Sequence, residues 1–479
     1  MANPRFSEIG NPYGELSVHS FGAKGDGVTD DTAAVQAAFA ANYSGVYFPR
    51  GTYLVTATIR MGATGTCSVF GDGRESVILG RNISGPVVLI EQQGGQNVRG
   101  MVSSLTVLGD NVVDCVKVHA RSGPLVLESI WVGTSGSGCE HGFYFYDTYG
   151  CSFRNLTMDS STPSHSAFRI GPVFGDNYCE NWYTSTASPY NFYFEGTVTE
   201  QSGSSVFINL TAQNGDIGFF LGEYFHESIF IKVYTENCVN PIVIGYPDGS
   251  ANRWPRGNQI IGGVIGPAYE SNAGFADQVA MIHLKGAVFT RIAGVRVADH
   301  PGQAVTFTGG DGTGAYALAR VTMAGAVHSI EVLCGGSGYS EAPTVTVAQG
   351  AGATFSVTLD NGTVASIAVT GGGTGYSTLQ PPLALLLGHC HGLLVESCGL
   401  RSDFDAGGVY GPLYPFVCKD STAPAEVSVN IVDDWTYFDG ATNPARASLH
   451  KASGAKHFLQ WIDNAGAVKT KEYALPVYP

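Results

Sequence analysis

The feature that most constrains the fold is a repeat in the middle of the chain. Residues 206–214 (VFINLTAQN) align with residues 229–237 (IFIKVYTEN) at an offset of 229 − 206 = 23, and the segments that follow, 218–222 and 241–245, keep that offset. Each copy is a short apolar strand that ends at an asparagine. This pattern is typical of a solenoid, in which each coil buries its apolar face on its neighbours, and it predicts roughly ten coils between residues 45 and 440.

Residues 18–53 predict how the solenoid begins. They have the pattern of a strand, a glycine-rich turn, a helix and a second strand. Thr29 or Asp30 is the expected N-cap of the helix, and Asp31 adds a favourable charge to its first turn. A helix at this position would cover the open end of the stacked strands, whose edge groups would otherwise remain unpaired.

The same segment also resembles a known family. FGAKGDGVTDDTAAVQAA, followed by GVYFPRGTYLV, is similar to the N-terminal signature of pectate-lyase-like, right-handed parallel β-helix proteins, and the match covers residues 16–56. That group includes polygalacturonases, rhamnogalacturonases, alginate epimerases and bacteriophage tailspike depolymerases. The resemblance implies an all-β, single-stranded parallel β-helix with an N-terminal capping helix. It does not specify a reaction, because one fold carries many different sites.

Charge and cysteine spacing disfavour several partners and cofactors. A formal net charge of −15 argues against nucleic acid and anionic membranes as partners. The ten cysteines show no CxxC pair and no zinc spacing, so we expect free thiols, no metal and no cofactor. Free thiols fit folding in a reducing cytoplasm. We expect no secretory signal, and no apolar run approaches the ~20 residues of a membrane span.

An insertion interrupts the coil pattern. Residues 330–340 (IEVLCGGSGYS) recur as residues 367–377 (IAVTGGGTGYS) at an offset of 367 − 330 = 37, a period different from that of the coils. We interpret this region as a small β-module of two related units that serves as a spacer, a trimer contact or a sugar-binding element. The predicted segments are a leader (1–17), the first part of the β-helix with its cap (18–300), the inserted module (301–381), the last coils (382–426) and a short C-terminal β-element (427–479).

Two glutamates are the first candidates for catalysis. Equivalent positions of successive coils stack about 4.8 Å apart, and aligning the coils places Glu195 and Glu223 near one corner of adjacent coils. Carboxylates about 5–9 Å apart suit glycoside hydrolysis, and their repulsion raises the pKa of one, as a general acid requires. We predict that these two act as acid and as base or nucleophile. The alternates are Glu236, Glu227, Asp147 and Asp159.

Aromatic residues near these carboxylates predict a sugar-binding surface, because exposed rings stack on the C–H faces of sugars. The candidate substrate-binding residues are Trp182, Tyr183, Tyr193, Tyr224, Tyr234 and His226. His389 and His391 alternate on one strand, but no acidic third ligand is near them in sequence, so a structural role is favoured over a metal site. The dipeptide His141-Gly142 is too short to indicate a site.

Motifs of the enzymatic relatives are absent. The chain has no Arg-Ile-Lys of the polygalacturonase type and no Asp-Pro-His-Glu of the alginate epimerase type. The tailspike group therefore remains the most similar. That resemblance implies a homotrimeric tailspike-type depolymerase that hydrolyses a bacterial surface polysaccharide (capsule or O-antigen). It also implies synthesis in the host cytoplasm, a place in the virion tail, and docking to other tail or baseplate proteins through the N-terminal segment.

Three other functions stay open on the sequence. A polysaccharide lyase of the same fold would need a base, such as His226 or Tyr224, and a cation, such as Lys232, to neutralise a uronate. A non-catalytic receptor-binding fibre would bind cells without shortening any polymer. A plant-cell-wall pectinase is disfavoured by the missing signal sequence and the missing motifs.

Overall fold

We describe the fold from a computed structural model of the chain. The structure describes residues 16–41, 45–62, 66–91, 98–245, 253–266, 280–298, 305–321, 325–347, 350–376, 383–396, 398–401, 417–419, 429–432, 436–438, 445–451, 456–462 and 468–474. The predicted leader (1–17) lies almost entirely outside the described residues. The chain forms two compact units, Met1–Tyr234 and Thr235–Pro479.

Parallel strands stacked as coils build the first unit. The strands that begin in it are β1 (Leu16–Ser17), β2 (Asp26–Asp30), β3 (Val46–Phe48), β4 (Gly51–Val55), β5 (Ile59–Met61), β6 (Thr66–Gly71), β7 (Ser76–Ile83), β8 (Val88–Glu91), β9 (Arg99–Ser122), β10 (Leu125–Thr134), β11 (Cys139–Tyr149), β12 (Ser152–Ser161), β13 (Ser166–Ile170), β14 (Phe174–Gly175), β15 (Tyr178–Thr186), β16 (Tyr190–Phe194), β17 (Ser202–Gly203), β18 (Val206–Gln213), β19 (Ile217–Leu221), β20 (Phe225–His226) and β21 (Ile229–Glu236). Each strand pairs in parallel with the equivalent strand one coil later, as β13 does with β16 and β16 does with β19. The predicted parallel β-helix is confirmed.

The helix α1 (Thr32–Ala40) begins one residue later than an N-cap at Asp30 would imply, and two residues later than one at Thr29. Its N-cap is Asp31, whose carboxylate does not cap the helix but accepts hydrogen bonds from the amides of Lys24 and Gly25 at 2.7 and 2.9 Å. Asp30 accepts from the amide of Thr32 at 3.0 Å. The prediction of Thr29 or Asp30 as N-cap was wrong, because both residues belong to strand β2 and helical backbone begins only at Thr32. Short 3₁₀ helices span Val18–Phe21 and Gly73–Glu75.

Stacked aromatic rings fill the interior of the first unit. Phe143, Phe168, Phe192 and Phe219 occupy one register position in four successive coils, with ring centroids 4.8, 4.9 and 4.8 Å apart. All four are buried. Since alternate residues of a strand face opposite sides, the residues between these phenylalanines face outward. The core ladder therefore fixes which side chains form the outer surface.

The 23-residue offset found in the sequence is confirmed within this unit. β17 pairs with β20 so that Ser202 lies opposite Phe225 and Gly203 opposite His226. Exposed asparagines mark a bend within successive strands: Asn155 in β12, Asn181 in β15 and Asn209 in β18 all have positive φ angles near 55°. Their amides form a ladder: Asn209 donates to Asn181 at 2.8 Å, and Asn181 donates to Asn155 at 3.0 Å.

The second unit contains further parallel strands and two antiparallel regions. Its strands are β22 (Asn240–Ile244), β23 (Gln259–Ile265), β24 (Ala280–Val288), β25 (Arg291–Ala293), β26 (Arg296–Ala298), β27 (Val305–Thr308), β28 (Thr313–Val321), β29 (Val327–Ser337), β30 (Thr344–Val347), β31 (Ala351–Asp360), β32 (Thr363–Thr374), β33 (Leu383–His391), β34 (Leu393–Glu396), β35 (Gly399–Arg401), β36 (Val417–Lys419), β37 (Val429–Val432), β38 (Thr436–Phe438), β39 (Ala445–Lys451), β40 (Lys456–Ile462) and β41 (Val468–Ala474). β24 pairs in parallel with β33, so the coil pattern continues across the insertion.

The insertion is an antiparallel module, as its separate repeat predicted. Its four-stranded sheet has the order β28-β29-β32-β31, and β27 pairs with β30. Ile330 and Ile367, which are equivalent in the 37-residue repeat, lie opposite each other where β29 meets β32. Tyr339 and Tyr376, the repeated tyrosines, are both buried in the module core. The two copies therefore pack as a pair around one small core.

β39, β40 and β41 form an antiparallel sheet near the C-terminus, in agreement with the predicted C-terminal β-element. Trp435, which helped to mark that element in the sequence, lies outside the described residues. In the described part of the chain, no helix is both long and apolar enough to cross a membrane.

Candidate functional site

One outward-facing position of the first unit carries chemically distinctive residues in successive coils. The register of β5, β8, β9, β11, β13 and β16 aligns them in a single file, which we call the Arg60 column: Arg60, Leu89, Lys117, Tyr144, Arg169 and Tyr193. Adjacent members lie one strand spacing apart, about 4.8 Å. The column is a continuous strip of cations and apolar or aromatic groups along the helix axis.

A second file runs beside it, two residues further along each strand. Glu91, His119 and Tyr146 are aligned by the register of β8, β9 and β11. The backbone bonds from the Gly171 amide to the Phe145 carbonyl and from the Glu195 amide to the Ile170 carbonyl, both 2.9 Å, extend this file to Gly171 and Glu195. We call the five residues Glu91, His119, Tyr146, Gly171 and Glu195 the Glu91 column. The two columns together form the candidate site.

Arg169 is the most highly connected side chain of this face. Its Nε and Nη2 donate to Oε1 of Glu195 at 3.0 and 2.6 Å, and its Nη1 lies 3.2 Å from Nε2 of His141. The guanidinium also lies 4.7 Å from the ring centroid of Tyr144. Burial acts to lower the pKa of Arg169, whereas Glu195 and Tyr144 together raise it above its ordinary value. The guanidinium is thus held as a fixed cation.

A histidine–aspartate pair stands two coils from Arg169. Nε2 of His119 lies 3.1 Å from Oδ2 of Asp147, and their side chains are 32% and 14% exposed. The His119 ring lies 5.0 Å from the ring of Tyr146. Lys117, on the same strand and face as His119, places its Nζ 4.5 Å from the Tyr144 ring centroid. A carboxylate that orients an accessible imidazole is an arrangement suited to general acid–base catalysis.

Behind the columns lies a buried polar corner. Asp114 lies opposite His141, and His141 lies opposite Ser166. Nδ1 of His141 lies 2.8 Å from Oγ of Ser166. Burial, reinforced by Arg169, lowers the pKa of His141 to about 3, so the imidazole is neutral and Nε2 accepts the Arg169 hydrogen bond. Burial raises the pKa of Asp114 to about 6.

Aromatic rings continue the face beyond Arg169. Tyr193 lies 4.8 Å from Tyr190 and 5.1 Å from Phe220 between ring centroids, and it is partly exposed. His165 packs edge-on against Tyr193 at 5.1 Å, and burial lowers the pKa of His165. Rings of this kind can stack against sugar faces. The face therefore combines fixed cations, an oriented imidazole, phenols and a stacking platform over successive coils.

The N-terminal part of the chain matches a known family. Residues 16–91 match the family model described as rhamnogalacturonase A/epimerase, pectate lyase-like. A probable glucan endo-1,3-beta-glucosidase of Arthroderma benhamiae is 56% identical over 48 residues, which cover 10% of this chain and 6% of that protein. Mannuronan C5-epimerase AlgE4 of Azotobacter vinelandii is 36% identical over 94 residues, which cover 19% of this chain and 16% of that protein. The matched segments span less than a fifth of each curated relative.

Solved structures with a similar fold include three of different origin. The A-module of the Azotobacter vinelandii epimerase AlgE4 is 20% identical, with a TM-score of 0.38, over 59% of this chain and 88% of that chain. ORF18 of Geobacillus virus E2 is 14% identical, with a TM-score of 0.36, over 97% of this chain and 86% of that chain. Tailspike protein 2 of bacteriophage CBA120 is 11% identical, with a TM-score of 0.36, over 60% of this chain and 42% of that chain.

The predicted catalytic pair lies at one corner of the parallel β-helix, but the carboxylate of its first member, Glu195, is already paired with Arg169. Glu195 lies opposite Gly222, and the Gly196 amide donates to the Glu223 carbonyl at 2.8 Å, so the two glutamates are on adjacent coils as expected. The Glu195 carboxylate, however, is bound by Arg169. Glu223 is half-buried. Their joint action in hydrolysis stays a prediction.

The alternate carboxylates are dispersed. Asp147 belongs to the candidate site through His119. Asp159 is exposed on another face, in a column with Ser185 and Gln213 that follows the predicted alignment. Glu227 is exposed at a turn with a φ of 51°. Glu236 is half-buried and belongs to the second unit.

Among the predicted sugar-binding residues, Trp182 was assigned wrongly. It is fully buried and stacks between Phe145 and Phe168 at 5.1 Å from each ring, and its Nε1 donates to the Phe153 carbonyl at 3.0 Å. It is therefore a core residue that offers no ring face to a polymer. Tyr183, its neighbour, faces outward and donates to Oε1 of Gln213 at 2.8 Å.

The remaining aromatic candidates differ in exposure. Tyr193 lies in the Arg60 column. Tyr234 is 36% exposed and Tyr224 is half-buried at a turn with a φ of 54°. His226 is only 9% exposed, because β20 carries it into the wall of the coil, so its imidazole is poorly placed to act as the base of a lyase. Its predicted role in substrate binding is not supported by this burial.

Sequence reasoning missed the cationic and histidine members of the site. Lys117, His119, Arg169 and His141 were not candidates, because paired carboxylates were the predicted pattern and His141-Gly142 was too short to indicate a site. The available signal was Arg169 itself: its segment, residues 167–171 (AFRIG), aligns with residues 191–195 (NFYFE), which end at Glu195. In the described parts of the chain, no group of three or more His, Cys, Asp or Glu side chains could hold a metal ion.

Proposed function

We propose that this chain is a polysaccharide-processing enzyme of the phage tailspike type, and that the Arg60 and Glu91 columns form its active face. The observation that carries the proposal is the set of outward side chains over successive coils: Lys117 and His119, then Tyr144 and Tyr146, then Arg169, then Tyr193 and Glu195. A straight strip of such groups fits an extended polymer. The matched curated relatives are named as a glucan-cleaving and a mannuronan-modifying enzyme, which supports a polysaccharide as substrate.

The residue types favour proton abstraction next to a uronate carboxylate. Lys117 would neutralise the carboxylate, which makes the neighbouring C–H more acidic. His119, oriented by Asp147, would remove that proton. The electron pair left on carbon would form a C=C bond and expel the glycosidic oxygen, and Tyr146 would supply a proton to that oxygen. This is the lyase reaction that the sequence left open, with His119 in place of His226.

Hydrolysis is the second candidate function, because carboxylates also line this corner. Glu195 and Glu223 lie on adjacent coils, and Asp147 and Glu195 lie two coils apart, which corresponds to about 9.6 Å between strands. Separations of roughly 5–9.5 Å serve retaining and inverting glycosidases. In this mechanism one carboxyl group protonates the leaving oxygen, and the other attacks the sugar or activates a water molecule.

One assay separates these reactions. The purified chain is incubated with capsular and O-antigen polysaccharides that contain uronic acids, and reducing ends and ultraviolet absorbance are followed together. Elimination raises both signals, since it creates a conjugated double bond, whereas hydrolysis raises only reducing ends. For elimination, His119→Gln should abolish turnover while Glu223→Gln retains it. For hydrolysis, Glu195→Gln should abolish turnover, because Glu195 belongs to both candidate carboxylate pairs, while His119→Gln retains it. Binding without any change in polymer length would favour a receptor-binding fibre and refute the enzymatic proposal.

The oligomeric state, location and partners that we propose for the chain follow from its resemblance to tailspikes. The chain would assemble as a homotrimer in the virion tail after synthesis in the host cytoplasm, act on the bacterial cell surface, and attach to other tail or baseplate proteins through its N-terminal segment. Light scattering coupled to size-exclusion chromatography tests the trimer directly. A monomer at micromolar concentration would contradict it.

A further inference from the structure

Positive charges recur at every second coil of the Arg60 column. Arg60 and Lys117 are separated by two strand spacings, about 9.6 Å, and so are Lys117 and Arg169. The intervening positions carry Leu89 and Tyr144. The column therefore alternates cation and uncharged group along the direction in which an extended polymer would lie.

The face itself holds these cations in place. Glu91 pairs with Arg60, and Glu195 pairs with Arg169, so in both cases the carboxylate comes from the next coil of the Glu91 column. Lys117 lies over the rings of Tyr144 and Tyr146, at 4.5 and 5.8 Å from their centroids. Cations fixed in this way lose little conformational freedom when they bind a ligand.

Arg60 and Arg169, although each is paired with a glutamate, still have N–H groups that can bind a ligand. Arg169 uses Nε, Nη2 and Nη1 for its bonds to Glu195 and His141. A guanidinium carries five N–H groups, so its remaining N–H groups can donate to a substrate oxygen. Arg60 is more open, with a side chain 48% exposed. Both arginines can thus add an acidic group of a polymer to their existing contacts.

The Arg60 end of the column opens into a surface hollow. It has a volume of about 410 Å³, and its lining includes Arg60 and Leu89 together with Thr56, Thr58, Asn82 and Ser84. A lining that mixes hydroxyl and amide groups with apolar side chains is typical of small-molecule sites and suits a sugar. This hollow extends the binding face to the first coils, well beyond the residues proposed for catalysis.

We propose that the substrate is a polysaccharide with an acidic group on every second sugar, lying along the axis with one sugar per coil. A hexose in an extended chain is about as long as one strand spacing, so its acidic groups would meet Arg60, Lys117 and Arg169. The uncharged sugars would face Leu89 and Tyr144. This inference rests on the proposed function and narrows its substrate class. In a polymer acidic at every sugar, the charges opposite Leu89 and Tyr144 would meet no cation of the column at their own coil.

Binding of the full chain to three classes of polymer tests the inference. Affinity electrophoresis and calorimetry would compare several polymers with acid on alternate sugars, such as hyaluronan, with polygalacturonate and with neutral dextrans. We expect the alternating polymers to bind most tightly. We expect Arg60→Gln to weaken that binding about tenfold and to reduce its salt dependence. Arg60→Lys, which keeps the charge, should restore most of the affinity.

Arg81 provides a matched control. It is also paired with a carboxylate of the next coil, Asp110 at 3.3 Å, and its side chain is 43% exposed, but it belongs to β7, is not a member of the Arg60 column and does not line the hollow. Arg81→Gln should leave binding unchanged. Equal or tighter binding of polygalacturonate, or no effect of Arg60→Gln on binding of an alternating polymer, would overturn the inference while leaving the proposed function intact. Failure of every polymer to bind would overturn both.

Discussion

Replacing Asp114 by asparagine should stabilise the protein near neutral pH. Asp114 is 2% exposed, and its Oδ1 has no hydrogen-bond partner among the described residues. Burial raises its pKa from 3.8 to about 6, and Glu140 adds to the rise, while Lys117 and Arg169 oppose it. The folded protein therefore holds the proton more tightly than the unfolded chain does.

The size and sign of the effect follow from that difference. Asp114 contributes no penalty below the unfolded pKa of 3.8, and stability is lost as the pH rises toward the folded pKa of about 6. The change from 3.8 to about 6 corresponds to about 3 kcal/mol of unfolding free energy. Asparagine does not ionise, so Asp114→Asn escapes this loss.

Urea denaturation of both proteins between about pH 4 and pH 8 measures the effect. The gain in unfolding free energy from Asp114→Asn should be near zero at the acidic end, grow through pH 5, and level off above about pH 6. Asp176→Asn, at an exposed position, is the control and should show no such rise. A gain that is independent of pH, or a loss at neutral pH, would refute the assignment of a buried, unsatisfied carboxyl at this corner.

Three further substitutions test the packing of the site and its core. Arg169→Met removes the hydrogen bonds to Glu195 and to His141, and should lower the unfolding free energy by about 1–3 kcal/mol. The control is Arg154→Met, at an exposed position, which should change the unfolding free energy little. Equal effects of the two substitutions in urea denaturation would contradict the account. His141→Gln tests acid sensitivity. Burial lowers the pKa of His141 from 6.5 to about 3, so its contribution to stability is present above pH 6.5 and is lost as the pH falls toward 3. The variant should lose less thermal stability than the wild type over that window, and parallel melting curves against pH would refute the neutral buried imidazole. Trp182→Ala should cost about 3–5 kcal/mol without changing polymer affinity per folded molecule, and a neutral effect on stability would contradict its place in the core.

The coil register could be predicted because backbone pairing repeats along the sequence. Aligning the apolar segments of the sequence places Tyr146, Gly171, Glu195 and Gly222 at one position of successive coils, and the backbone hydrogen bonds between those coils agree. The period itself varies, since Phe143 pairs with Phe168 but Phe192 pairs with Phe219, offsets of 25 and 27 residues. Loops of different length cause this variation, so a single offset does not extend over the whole unit.

The candidate site was harder to predict because its contacts join side chains about 25 residues apart. The Arg169–Glu195 pair and the His119–Asp147 pair span 26 and 28 residues, and neither forms a linear motif. Trp182 shows a different limit. Strand alternation allows only one of Trp182 and Tyr183 to face outward, and the bulky indole fills the core while the tyrosine hydroxyl reaches Gln213. Applying that alternation would have removed Trp182 from the candidates.

The central claim is that the Arg60 and Glu91 columns form a polysaccharide-processing face. The most direct measurement compares turnover of uronate-containing bacterial polysaccharides by the wild type, by Lys117→Gln and by Arg81→Gln, with reducing ends and ultraviolet absorbance recorded together. We predict that Lys117→Gln lowers turnover by at least about tenfold, because it removes the cation that would neutralise the uronate, while Arg81→Gln matches the wild type. Full turnover by the Lys117 variant would contradict the claim and place the active face elsewhere on the molecule.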